Sequence, residues 1–159
     1  MSANYNCKNF IMKSLKDKES LILSSFKACA EGEGSYLWLI NKAKDKPYKP
    51  TMKERYKLKG CLSITYFQFQ VIDGSYIVNG WSESNIIYGI LRVIIEIYDG
   101  ESVDTKFSPS WHLEMNLQSI LTYQRWLSVK YMLEQSASLA DQNIKSLSLT
   151  ILDSTEAII

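Results

Sequence analysis

The clearest hydrophobic and polar pattern lies between residues 61 and 98, where three apolar, aromatic-rich runs are separated by Asp73-Gly74 and by Ser82-Glu83-Ser84-Asn85. Leu62, Ile64 and Tyr66 alternate on one face of the first run, and Phe67, Phe69 and Val71 lie on the other. A change of face in mid-strand predicts a bulge or a sharp bend within 58–72. Asp-Gly is a strong hairpin signal, so Ser75–Trp81 is the expected return strand. Ile86–Tyr98 reads as a central strand: Ile87, Gly89, Leu91, Val93, Ile95 and Ile97 line one face, and Arg92 and Glu96 interrupt the other.

Upstream, Leu15, Ile22, Phe26 and Cys29 recur at helical spacing, which predicts an amphipathic helix over 13–30. Ser35–Asn41 is a short candidate strand. Pro47 and Pro50 make 42–51 a loop, because the residue before each proline is steered away from helix. Downstream, Trp111, Leu113, Met115 and Leu117 alternate with His112, Glu114 and Asn116, as in a half-buried strand. Residues 119–141 fit a helix better than a strand, since Trp126, Val129, Leu133, Ala137 and Ala140 step by three or four. Leu147, Leu149 and Ile151 suggest a closing strand.

These elements predict an α+β fold: a curved, mostly antiparallel sheet of about 5–7 strands packed by two helices. The alternative is a partly closed β-cup or barrel. The 159 residues suit one domain, 1–159, with 1–12 and 153–159 expected to be loose.

The charge is nearly balanced, at +1 overall, but residues 42–59 carry eight Lys or Arg against Asp45 and Glu54. Nucleic-acid binding requires neutralising several phosphates, so it would have to rest on Lys42–Lys59 alone and ranks last. Cys7, Cys29 and Cys61 form no CxxC, and the polar N-terminal stretch lacks a signal-peptide core. Free thiols in a reducing, cytoplasmic setting are therefore expected. No apolar run reaches the length of about 20 residues that a membrane helix needs.

No Walker A, GxSxG, GxGxxG or HExxH motif is present, and His112 is the only histidine. Neither a metal site nor a cofactor is expected. Ten Tyr and four Trp favour binding surfaces. The leading expectation is thus a non-catalytic protein-binding domain, an inhibitor or immunity-like factor that blocks a basic partner. Its candidate contacts are Tyr76, Trp81, Glu83, Glu101 and Asp104. The second reading is a small-ligand cup or modest enzyme with a polar floor of Arg92, Glu96, His112 and Glu114.

Overall fold

The computed structural model describes residues 14–29, 33–103 and 110–136. Within them the order is α1 (Leu15–Cys29), α2 (Gly34–Lys42), a 3-10 turn (Glu54–Tyr56), β1 (Thr65–Ile72), β2 (Ser75–Ser82), α3 (Asn85–Tyr98), α4 (Trp111–Glu114) and α5 (Leu117–Ile120). A further helix, α6, covers residues 123–136. The fold is α+β, but its sheet has two antiparallel strands among the described residues. Neither the sheet of 5–7 strands nor the cup or barrel is present among them. The expected strand at 146–151 and the termini lie outside the described residues.

The hairpin forms where Asp73-Gly74 places it. Both residues have positive φ, 51° and 77°, the combination that a two-residue turn between twisted strands needs. Pairing runs without interruption from Ile72↔Ser75 to Thr65↔Ser82, so the predicted bulge is absent. Tyr66 and Phe67 are both buried although they point to opposite faces, because neighbouring segments cover this end of β1 on both sides.

The largest correction concerns Asn85–Tyr98, which is a helix rather than a central strand. Ser84 starts it: its side chain accepts a hydrogen bond from the Ile87 N–H. Ile90, Leu91, Val93, Ile94 and Ile97 are fully buried. Each such side chain contributes roughly 1.5–3 kcal/mol by leaving water. α3 is wrapped by α1, α2 and β2, so it has almost no wet face, and its apolar run fits either period. Ser84→Ala removes the cap and is expected to lower stability by about 0.5–2 kcal/mol, read by urea denaturation.

Two other expected strands are also helical. Ser35–Asn41 lies in α2, with Trp38 and Leu39 buried. Residues 111–117 form α4 and the start of α5, joined through Asn116 in the left-handed region at φ 52°. The helix expected over 119–141 is interrupted at Leu121, which is extended at α5's end. α6 then begins after Thr122, whose hydroxyl accepts from the Arg125 N–H.

Candidate functional site

The basic segment does not hang free. Lys46 lies over the Trp81 ring, Lys49 over Tyr66 and Arg55 over Tyr56. The Trp81 indole N–H donates to the Pro47 carbonyl. The contacts to Trp81 and Tyr66 hold residues 46–49 against the hairpin, and the Gln70 side-chain amide donates to the Tyr56 hydroxyl. Lys57 then bridges to Tyr66, and the Leu58 N–H donates to the Thr65 carbonyl at 2.8 Å.

Residues 58–65 are therefore a loop closed at its base, and Cys61 sits near its tip. Gly60, at φ 80°, makes the turn in a conformation that a side chain would strain. The far side of the loop is fixed to the end of β2. Ile64 and Glu83 exchange two bonds, from the Ile64 N–H to Glu83 Oε2 and from the Glu83 N–H to the Ile64 carbonyl. Thr65 and Ser82 share a buried hydroxyl contact of 2.8 Å.

α6 completes the site. Cys61 Sγ lies 3.0 Å from Ser128 Oγ, a contact that spans 67 positions of sequence. Cys61 is half-buried, whereas Leu62 beside it is 84% exposed. A cavity of about 210 Å³ opens here, lined by Cys61, Thr65, Ile87, Gln124, Arg125 and Ser128 among others. The Ser128 hydroxyl also lies 3.4 Å from the Gln124 carbonyl, an alternative acceptor for its proton. Ser128 can thus accept from a thiol, or turn to donate to a thiolate. Among the described residues the Arg125 guanidinium has no carboxylate partner. The arrangement is a free thiol, a hydroxyl in contact with it and a cation facing the same small cavity.

The family match gives this cavity a setting. A sequence model of SufE, described as an Fe-S metabolism associated domain, matches residues 20–140. The chain belongs to the SufE family. A solution structure of a hypothetical protein from Thermus thermophilus has the same fold, with a TM-score of 0.61 at 17% identity, over 80% of this chain and 96% of that one. No curated protein matches the chain. SufE membership overturns the inhibitor or immunity-factor reading, which rested on composition and surface charge alone.

The residues singled out from sequence fall in separate places. Tyr76 and Trp81 are buried: Tyr76 packs on Phe69 and Tyr98, and Trp81 lies under Lys46. Neither offers an exposed aromatic ring, because both strand faces are covered there. Glu101 pairs with Lys18 at 2.6 Å, and Asp104 lies outside the described residues. Of these residues, Glu83 braces the Cys61 loop through its bonds with Ile64.

The expected polar floor is not assembled, because its four residues lie on helices instead of adjacent strands. Arg92 and Glu96, one turn apart on α3, share a cavity of about 550 Å³ with Lys42 and Cys29. Lys42 donates to both Glu96 oxygens, and Arg92 approaches at 4.0 Å. His112 faces a different cavity with Trp126 and Leu133, and Glu114 is exposed on α4. Among the described residues, no group of three or more His, Cys, Asp or Glu is placed to hold a metal, and no helix is long and apolar enough to cross a membrane.

His112 Nδ1 is buried without a hydrogen-bond partner among the described residues, and burial holds its pKa below the usual 6.5. The unfolded chain therefore binds this proton more readily than the folded one, and stability falls as pH drops below about 6.5. His112→Gln is expected to flatten that part of the curve of melting temperature against pH, leaving the curve above 6.5 parallel to the parent's.

Sequence reasoning treats Cys61 as an ordinary free thiol. The available signal was its place directly after Gly60, between a basic loop and a strand. Arg125 and Ser128 had no local signal at all, since their relation to Cys61 exists only through folding.

Proposed function

We propose that this SufE-family chain is a sulfur carrier in Fe-S metabolism, with Cys61 as the residue that takes up and releases sulfur. The observation that carries the reading is the half-buried Cys61 thiol, 3.0 Å from Ser128, in a cavity shared with the Arg125 cation. Family membership supplies the metabolic context. Cys29 is the other described free cysteine, and it is exposed at the end of α1 with no comparable partner for its sulfur among the described residues.

The step conserves atoms and electrons. The Cys61 thiolate attacks the terminal sulfur of a donor persulfide. A new S–S bond forms at Cys61, the donor's S–S bond breaks, and its electron pair leaves on the donor sulfur as a thiolate. One sulfur moves, no external oxidant is needed, and the proton lost from Cys61 reaches the donor thiolate through solvent. Only the thiolate is the competent nucleophile in such exchange. Ser128 steadies the anion by donating its hydroxyl hydrogen, and Arg125 offsets the charge that both persulfide partners carry. Delivery repeats the step, with an acceptor thiolate attacking the outer sulfur on Cys61. The partners on this reading are thiol-bearing proteins, and the chain itself needs no cofactor.

The test is incubation with cysteine persulfide followed by intact-mass and peptide analysis. One added sulfur, removed by a reductant and located on Cys61, supports the reading. Sulfur found equally on Cys7, Cys29 and Cys61 overturns it.

A further inference from the structure

The cavity of about 550 Å³ between α1, α2 and α3 shares no lining residue with the cavity at Cys61. Its walls follow helical spacing. Trp38 and Lys42 come from α2, and Tyr88, Arg92 and Glu96 from α3, each set stepping by four, while the end of α1 closes the third side. A helix face turned towards neighbouring helices is ordinarily apolar. The floor of this cleft obeys that rule, since Trp38 and Tyr88 are buried. Its walls do not.

Four charged side chains line the cleft, Lys42, Asp45, Arg92 and Glu96, and their signs balance. Lys42 and Glu96 are engaged with each other: Lys42 Nζ lies 3.0 and 2.8 Å from the two Glu96 oxygens, and also over the Trp38 ring. Arg92 and Asp45 are not engaged in this way. Arg92 approaches Glu96 at 4.0 Å, and among the described residues Asp45 has no cation within ion-pair distance. A guanidinium offers five N–H donors in a fork that fits a carboxylate in two bonds. A carboxylate accepts, and an ammonium has three hydrogens to donate to it. The unmatched groups are thus one cation and one anion, above two aromatic rings.

We propose that this cleft binds a small amino acid as its zwitterion, with the carboxylate on Arg92 and the ammonium on Asp45. The cavity falls within the range of about 300–1,000 Å³ usual for small-molecule sites. A purely anionic guest would meet Asp45 and Glu96, and a purely cationic one would meet Lys42 and Arg92. A guest with both charges satisfies the two unmatched groups and leaves the Lys42–Glu96 bridge intact. The site takes Arg92 and Glu96 from the polar set expected from sequence, without His112 or Glu114. It is independent of the sulfur chemistry at Cys61 and stands or falls without it.

The experiment titrates the full chain, labelled with nitrogen-15, with glycine, β-alanine and 4-aminobutyrate. The Arg92 side-chain and Trp38 indole N–H resonances report binding. The three ligands differ in the separation of their charges, so they sample the span from Arg92 to Asp45. At least one is expected to shift both signals saturably. Acetate and methylammonium each carry half of the charge pattern and should bind at least about tenfold more weakly. Arg92→Met and Asp45→Asn should each weaken binding by a similar factor. Both side chains are open to solvent, so the melting curves of these variants should stay close to the parent's. Absence of a saturable shift from all three amino acids overturns the site. Acetate or methylammonium binding as tightly as the best of them overturns the zwitterion, and undiminished binding by both variants overturns the assigned contacts.

Discussion

Cys61→Ser abolishes sulfur uptake while leaving the fold intact. The two halves of this expectation have separate physical grounds. A serine hydroxyl is not ionised near neutral pH and does not attack a sulfane sulfur, so loading should fall to background. The substitution replaces one atom at a half-exposed loop tip, and surface changes of that kind usually shift stability by no more than about 0.5 kcal/mol. The Ser128 contact can survive as a hydroxyl pair. Intact-mass measurement after exposure to cysteine persulfide reads the first half, and a melting curve reads the second. A Cys61→Ser chain that still gains one reducible sulfur at the parent's rate would sink the assignment of Cys61.

Arg125→Ala provides the graded comparison. Hydrogen bonds to charged groups are worth roughly 1.5–3 kcal/mol, which corresponds to a loss of tenfold or more if the contact is made in the transition state. Loading should slow by that amount without disappearing, because the thiol remains.

Gly89→Ala is expected to destabilise the fold although it adds only a methyl group to α3. A Cβ at this position would lie 2.2 Å from the Leu39 carbonyl oxygen and 3.0 Å from its carbon. Both atoms belong to the backbone of α2, so no side-chain rotation relieves the overlap. Helix propensity alone would favour alanine by about 1 kcal/mol. The clash decides the sign: α2 and α3 must separate, and overpacking of this kind typically costs about 1–3 kcal/mol. For a chain of this size that lowers the melting temperature by several degrees. A rise in melting temperature would show that the helices can part cheaply. The consequence for function is indirect, since Ile87 on α3 also lines the Cys61 cavity.

Much of the local structure was legible in sequence because its causes are local. Asp73-Gly74 forces the hairpin through two positive φ values. The spacing of Leu15, Ile22 and Phe26 gives α1 a stripe that is buried as a unit. The strand reading of 86–98 failed for a reason that is equally physical. A helix packed on several sides needs no polar face, so its apolar positions fit period two as well as 3.6. The better clues were the length of the run, the Ser84 cap and the spacing of four between Arg92 and Glu96. The alternating Trp111–Leu117 segment misled differently: a left-handed Asn116 splits it into two single turns, and the alternation follows no common helix face.

By itself the sequence determined the elements that depend on near neighbours: the hairpin turn, the first helix, the loop through Pro47 and Pro50, and the basic character of residues 42–59. It also supplied the thiols, and set Cys61 apart from Cys29 only by its place directly after Gly60. Tertiary structure gave Cys61 its surroundings. It closed the loop through Lys57 and Tyr66, braced it with Glu83, and brought Ser128 to 3.0 Å across 67 positions. A site made of long-range contacts leaves no periodic trace in the chain, because each of its residues obeys the pattern of its own element and acquires its role only where the elements meet.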